Sequence, residues 1–202
     1  MWIMDTRLRG EIEFEFRFRA TQGRSWPRII LLANNMTMGY HDINNQRCSA
    51  SMVLKDYSWS QGPNNISISY FSKDERDTVV RGGSIVADQS LELISIHADG
   101  ILLEPWFWTD HCYQPDYFRG FLEKQPDAPR KIKSQLIWHF PGRFTITGLP
   151  VWSQFWSWYQ SERTSRVIKD LVDPTGQISN NHRGFSDEDR ALINDIKETL
   201  HV

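Results

Sequence analysis

Three groups of residues in this chain could do chemistry. The densest is acidic. Ser72-Lys73-Asp74-Glu75-Arg76-Asp77-Thr78 places three carboxylates within four residues, and Asp88 stands just before an alternating stretch. A hard cation such as Ca²⁺ takes several oxygen ligands, most readily from loops. Asp74, Asp77 and Asp88 are therefore the expected metal ligands if the two loops meet at one edge of the fold. Lys73, Arg76 and Arg81 interleave with them, and ordinary surface ion pairs are the alternative.

The second group is aromatic. Trp26, Tyr40, Tyr57, Trp59, Trp106 and Trp108 fall in segments that read as loops. Tyr and Trp rings combine an apolar face with a polar tip, which suits the apolar face and hydroxyl rim of a sugar. Tyr40, Tyr57 and Trp59 are the expected ligand-binding residues. Trp59 sits in Asp56-Tyr57-Ser58-Trp59-Ser60-Gln61, rich in hydrogen-bonding groups. The competing reading is that such rings fill space between packed layers.

The third group is histidine beside aspartate, in Tyr40-His41-Asp42 and Thr109-Asp110-His111-Cys112. No ligand spacing links them into a transition-metal site. Signatures of catalysis are missing: the sequence has no GxSxG elbow, glycine-rich phosphate loop or HExxH. Nothing pairs two of the loop acids across a sugar, as glycoside hydrolysis requires. A non-catalytic function is expected. Cys48 and Cys112 are the two cysteines, with no CxxC, so a cysteine-rich zinc site is excluded and free buried thiols are expected.

The elements that must position these groups read mainly as strands. Glu11 to Arg19 alternates strictly, with Ile12, Phe14, Phe16 and Phe18 on one face and Glu and Arg on the other. Period two over that length is a strand with one buried and one wet face, the habit of antiparallel sheets. Arg28 to Ala33, Cys48 to Leu54, Ile66 to Phe71, Leu91 to His97 and Ile101 to Glu104 read as further strands. Asn34-Asn35, Gly82-Gly83 and Asp99-Gly100 mark turns. Gly39 to Gln46 reads as a polar loop. Leu136 to Phe140 and Arg143 to Thr147 read as a hairpin across Pro141-Gly142, and Asp116 to Lys124 as a short helix. From Pro150 to Val172 apolar residues recur at helical spacing, and a capped helix is expected from Ser186 to Leu200.

The 202 residues carry 23 Lys and Arg against 25 Asp and Glu, a formal charge of −2, which argues against a nucleic-acid partner. No apolar run is long enough to span a bilayer and no signal peptide is visible, so no membrane partner is expected. Nine Trp, eleven Phe and six Tyr separate the chain from disordered sequences. Six of the nine Trp lie between Trp106 and Trp158, in the part that must pack against something.

Ile68-Ser69-Tyr70-Phe71, the acidic loop, and Asp88-Gln89-Ser90-Leu91 through Ala98-Asp99-Gly100-Ile101 resemble calcium-dependent xylan-binding carbohydrate-binding modules. The resemblance implies a β-sandwich whose loop carboxylates, Asp88 among them, bind calcium that binds sugar hydroxyls. Gln89-Ser90 replaces that family's usual Arg-Asn, and its glycine-rich loop is missing. Asp99-Gly100-Ile101 through Pro126-Asp127-Ala128-Pro129 to Trp152-Ser153-Gln154-Phe155-Trp156 is similar to uncharacterised proteins of marine tailed bacteriophages. That second resemblance implies phage origin, in the virion or the host cytoplasm.

The expected fold is mainly β. It is an antiparallel, jelly-roll-like β-sandwich over residues 8–148 with an α-helical C-terminal appendage over residues 149–202. The expected function is non-catalytic glycan binding, calcium-assisted. The alternative is a structural virion or assembly protein that contacts another virion protein, or itself through the C-terminal helix.

Overall fold

The computed structural model of the chain describes residues 11–55 and 63–171, with side chains of its last helix through residue 166. Tyr57, Trp59 and the expected helix over 186–200 lie outside the described residues. In chain order the first strands are β1 (Glu11–Thr21), β2 (Arg28–Ala33), β3 (Met36–Asp42), β4 (Arg47–Lys55) and β5 (Asn64–Tyr70). They are followed by β6 (Val79–Arg81), β7 (Ser84–Ala87), β8 (Ser90–Ala98), β9 (Ile101–Leu102) and β10 (Cys112–Pro115). The last strands are β11 (Ile132–Lys133), β12 (Ile137–Trp138) and β13 (Gly142–Leu149). The helices are α1 (Trp106–Thr109), α2 (Arg119–Lys124) and α3 (Phe155–Leu171).

The chain divides into two compact units, Met1–Ser153 and Gln154–Val202. The first is mainly β and antiparallel, as the alternating pattern predicts. One sheet has the order β12-β8-β1-β4, with β9 added to β8. The other runs β11-β10-β13-β5-β2-β3, and β6-β7 is a separate hairpin. β1 is central to the first sheet because its alternation lets it bury one whole face. Ile12, Phe14, Phe16 and Phe18 are each at most 1% exposed. It pairs with β4 in unbroken register from Glu11↔Lys55 to Arg19↔Arg47. Against β8 the register shifts between Arg17 and Phe18. Ile94 is the residue the shift leaves over, and it faces solvent at 41% exposure.

The two sheets meet on Trp138. Its ring is fully buried, stacks on Tyr113 at 5.0 Å and on Phe144 at 5.7 Å, and meets Phe18 edge-on at 6.5 Å. Tyr113 and Phe144 belong to the second sheet, Phe18 and Trp138 to the first. The indole Nε1 donates to the Gln135 carbonyl at 2.8 Å, so the ring is buried without an orphaned donor. Trp108 and Trp152 are buried too, which assigns much of the aromatic excess to packing.

This bridge corrects one expectation. Residues 136–147 do not form a hairpin. β12 pairs with β8 in the first sheet, while β13 pairs with β5 and β10 in the second. The chain changes sheets at His139 to Pro141 because Trp138 must lie between them. A second correction concerns Gly39 to Gln46, whose first part is strand β3, paired with β2. As the outer strand of its sheet, β3 buries little and so shows no apolar alternation. The turn residues act as read. Asn34 and Asn35 take φ of 50° and 64°, and Asp99 and Gly100 take 48° and 79°, the left-handed values a two-residue hairpin needs. The short helix shrinks to Arg119–Lys124.

The first unit ends within a 3-10 turn, Trp152–Gln154, and α3 belongs to the second. Phe155, Trp156 and Tyr159 form a ring cluster along the helix, with centroids 5.4 to 5.9 Å apart.

Trp138→Ala should lower stability by about 3–5 kcal/mol, the range for deleting a large buried aromatic. Arg17→Ala, on the wet face of β1, should cost no more than about 1 kcal/mol. Urea titration of both variants, read as midpoint shifts at constant slope, checks the contrast.

Candidate functional site

The acidic loops do not gather into a cation site. Asp77 is buried at 3% exposure, and its carboxylate accepts backbone N–H bonds from Arg24 (2.9 Å), Ser25 (3.2 Å) and Asp74 (3.0 Å). It ties the loop after β1 to the loop after β5. Asp74 caps the 3-10 turn Glu75–Asp77 and takes the Arg76 guanidinium at 2.6 Å. That pairing, with the Arg76 amide bond, holds its carboxyl below the ordinary range.

Asp88 has a different occupant. Lys73, whose side chain is 1% exposed, brings Nζ to 2.5 Å from Asp88 Oδ1 and 2.6 Å from the His139 carbonyl. Thr78 Oγ1 donates to the same Oδ1 at 2.5 Å, and His139 Nδ1 lies 3.2 Å from Oδ2. The positive charge at Asp88 is therefore a lysine ammonium. Among the described residues no group of three or more His, Cys, Asp or Glu side chains could hold a metal ion. Asp74, Asp77 and Asp88 thus do not fit the calcium set expected of them, because their oxygens already serve the fold.

These loops instead fix the end of β5. Gln89 is fully buried, and its amide donates to the Ser25 carbonyl at 2.8 Å. Its Oε1 accepts from the Tyr70 hydroxyl at 2.7 Å and the Ser72 hydroxyl at 3.3 Å. Burial pushes the Tyr70 hydroxyl far above its ordinary pKa, so it stays protonated and donates. With Tyr70 held inward, the next residue, Phe71, faces out at 41% exposure, with the Arg28 guanidinium 5.4 Å from its ring centre.

Phe71 stands at a groove of ≈ 470 Å³ on the outer face of the second sheet. Ser69, Gln114, Asp116, Tyr117, Phe118 and Arg143 line it too. Tyr117 and Phe118 come from the segment between β10 and α2, which an aromatic cluster holds in place. Tyr117 stacks on Phe121 at 5.0 Å and meets Phe140 edge-on at 4.9 Å, and its hydroxyl donates to the Pro129 carbonyl at 3.0 Å. Gly142 lies at the floor, where a Cβ would fall 2.7 Å from Tyr113 Oη, so the strand can pass there only as glycine.

Strand register places the polar liners together. Ser69 pairs with Arg143, and Arg143 with Gln114. Continued the other way, Ser69 pairs with Ile30, and Ile30 with Tyr40. Tyr40, an expected ligand residue, therefore lies on the same sheet face as the groove, three strands from Arg143, and is 71% exposed. Ser69 and its neighbour Ser67 were visible in the sequence as the polar half of an alternating strand. Phe71 falls on the same alternating face as Ser69, whereas Gln114, Arg143 and Tyr117 were not singled out, because only long-range pairing brings their segments to Ser69.

The sequence matches no protein-family model and no curated protein. Among solved structures the chain is similar to a carbohydrate-binding module described as "vCBM60 in complex with galactobiose". The TM-score is 0.43 at 8% identity, covering 66% of this chain and 96% of that one. A selenomethionine form of vCBM60, from work on two families of calcium-dependent carbohydrate binding modules, gives 0.43 at 9% identity. It covers 67% of this chain and 89% of the other.

Asp88→Ala should destabilise the fold by about 3–5 kcal/mol, because it strands a buried ammonium without its carboxylate. Lys73→Met with Asp88→Asn should cost clearly less, since neither charge is left alone. Denaturant unfolding of the two variants tests this, and an unchanged midpoint in Asp88→Ala would refute the structural role.

Proposed function

We propose that this chain is a non-catalytic glycan-binding module whose site is the groove on the outer face of the second sheet. The observation that carries the reading is the composition of that groove. Phe71, Tyr117 and Phe118 line it together with Ser69, Gln114, Asp116 and Arg143, whose guanidinium also donates to Asn35 Oδ1 at 3.4 Å. Rings for the apolar face of a sugar and fixed polar groups for its hydroxyls are what such a ligand needs.

The acids of the groove support binding without turnover. Asp116 is the sole carboxylate among the groove-lining residues, and hydrolysis of a glycosidic bond uses two. The reading is metal-free, and what supports it is that the loop carboxylates are taken up by Lys73, Arg76 and backbone amides.

Titration calorimetry with galactobiose and with neutral xylo- and gluco-oligosaccharides tests the reading. At least one is expected to bind, and Gln114→Ala or Arg143→Ala should weaken it about tenfold, the scale of one or two lost hydrogen bonds. Affinity should be the same in EDTA and in calcium. Absence of binding to every glycan would overturn the proposal, and binding that requires calcium would overturn its metal-free form.

A further inference from the structure

The groove is one end of a longer feature. Tyr40, Ile30, Ser69, Arg143 and Gln114 are consecutive register partners on β3, β2, β5, β13 and β10. With neighbouring strands about 4.8 Å apart, this row runs about 19 Å across the sheet. Its ends carry rings: Phe71 and Tyr117 at the groove, and Tyr40 on the outermost strand. Its middle, Ile30 and Ser69, is half-buried, and the Arg143 side chain reaches from the row towards the β2–β3 turn, where Nη1 donates to Asn35 Oδ1 at 3.4 Å.

The charge of the face sets the ligand class. Arg143 and Asp116 give the groove one charge of each sign besides Lys73, which is already paired with Asp88. In the next row, Thr37, Leu32, Ser67, Thr145 and Cys112, none is charged, and Leu32 and Ser67 are buried. The outer face of the first sheet differs sharply, with ion pairs Glu11–Lys55, Glu15–Arg17 and Arg19–Glu92 across it.

We infer that an extended, neutral oligosaccharide lies across the strands along the row from the groove to Tyr40, with the Tyr40 ring closing the far end. This deepens the glycan-binding reading and rests on it. Tyr40 is too exposed for its replacement to threaten folding.

The experiment measures the affinity of the full chain for disaccharides and hexasaccharides of the neutral galacto-, xylo- and gluco-series, with an oligogalacturonide as the anionic arm. A hexasaccharide of one neutral series should bind about tenfold tighter than its disaccharide, the scale of one added stacked ring. Tyr40→Ala should abolish that gain, and Tyr40→Phe should keep it. Equal affinity for short and long chains, a gain that survives Tyr40→Ala, or a preference for the anionic chain would overturn the inference while leaving glycan binding in the groove intact. Absence of binding to any glycan would overturn both.

Discussion

The architecture turns on Trp138. A two-sheet fold needs side chains from both inner faces to close on one another, and here one ring touches both sheets while its N–H is satisfied by the chain beside it. Because Trp138 ends β12 in the first sheet, the next residues must cross, and β13 begins in the second. That crossing sets Gly142 against Tyr70 and Pro115, and so sets Arg143 beside Ser69 and Gln114 on the opposite face. The groove is thus a consequence of how the core closes. A core residue and a surface site are linked by strand alternation, where a shift of one residue exchanges the two faces.

The two outer faces show what each sheet is exposed for. The first carries Glu, Arg and Lys, with ion pairs along β1 (Glu15–Arg17) and between strands (Arg19–Glu92, Glu11–Lys55). Val53, Ile94 and Ile137 are exposed on the same sheet, so the ion pairs there alternate with single apolar side chains. The second presents Ser, Thr, Ile, Gln and rings. Such a surface is less well solvated and keeps hydrogen-bonding capacity in fixed positions. Ligand sites are built from that mixture of apolar area with a few placed polar groups.

Much of this was legible in the sequence. The nine-residue alternation of Glu11 to Arg19 required a half-buried antiparallel strand, and Asn34-Asn35 and Asp99-Gly100 required left-handed turns. Tyr40 could be picked out as an aromatic residue outside any apolar run, and it lies on an exposed sheet face. The rest depended on pairing between distant segments. Gln114 and Arg143 are ordinary polar residues until β10 and β13 are neighbours. Trp138 looked like one residue of a local hairpin because proximity in sequence favours local pairing, whereas its ring is better buried between sheets. The acidic loop misled for a related reason. Carboxylate spacing reports how many oxygens are near one another, not which donors already hold them.

That last point bears on how the loops stabilise the fold. A carboxylate at the end of a sandwich can be neutralised by an ion from solution or by a cation built into the chain. Lys73 is the second kind. Its charge is delivered by folding, so no solution component is needed, but the ammonium is removed from water and needs partners, here Asp88, the His139 carbonyl and the face of the Phe140 ring at 5.9 Å. Thr78 and His139 complete the shell of Asp88, and Asp77 closes the adjoining loop. With its carboxylates committed in this way, the loop end of the sandwich is a fixed frame. Tyr70 and Gln89 carry that rigidity to the end of β5, where Phe71 turns outward to the sheet face. The residues that resemble a cation site in the sequence therefore act through the fold, by fixing the end of β5 from which Phe71 faces out.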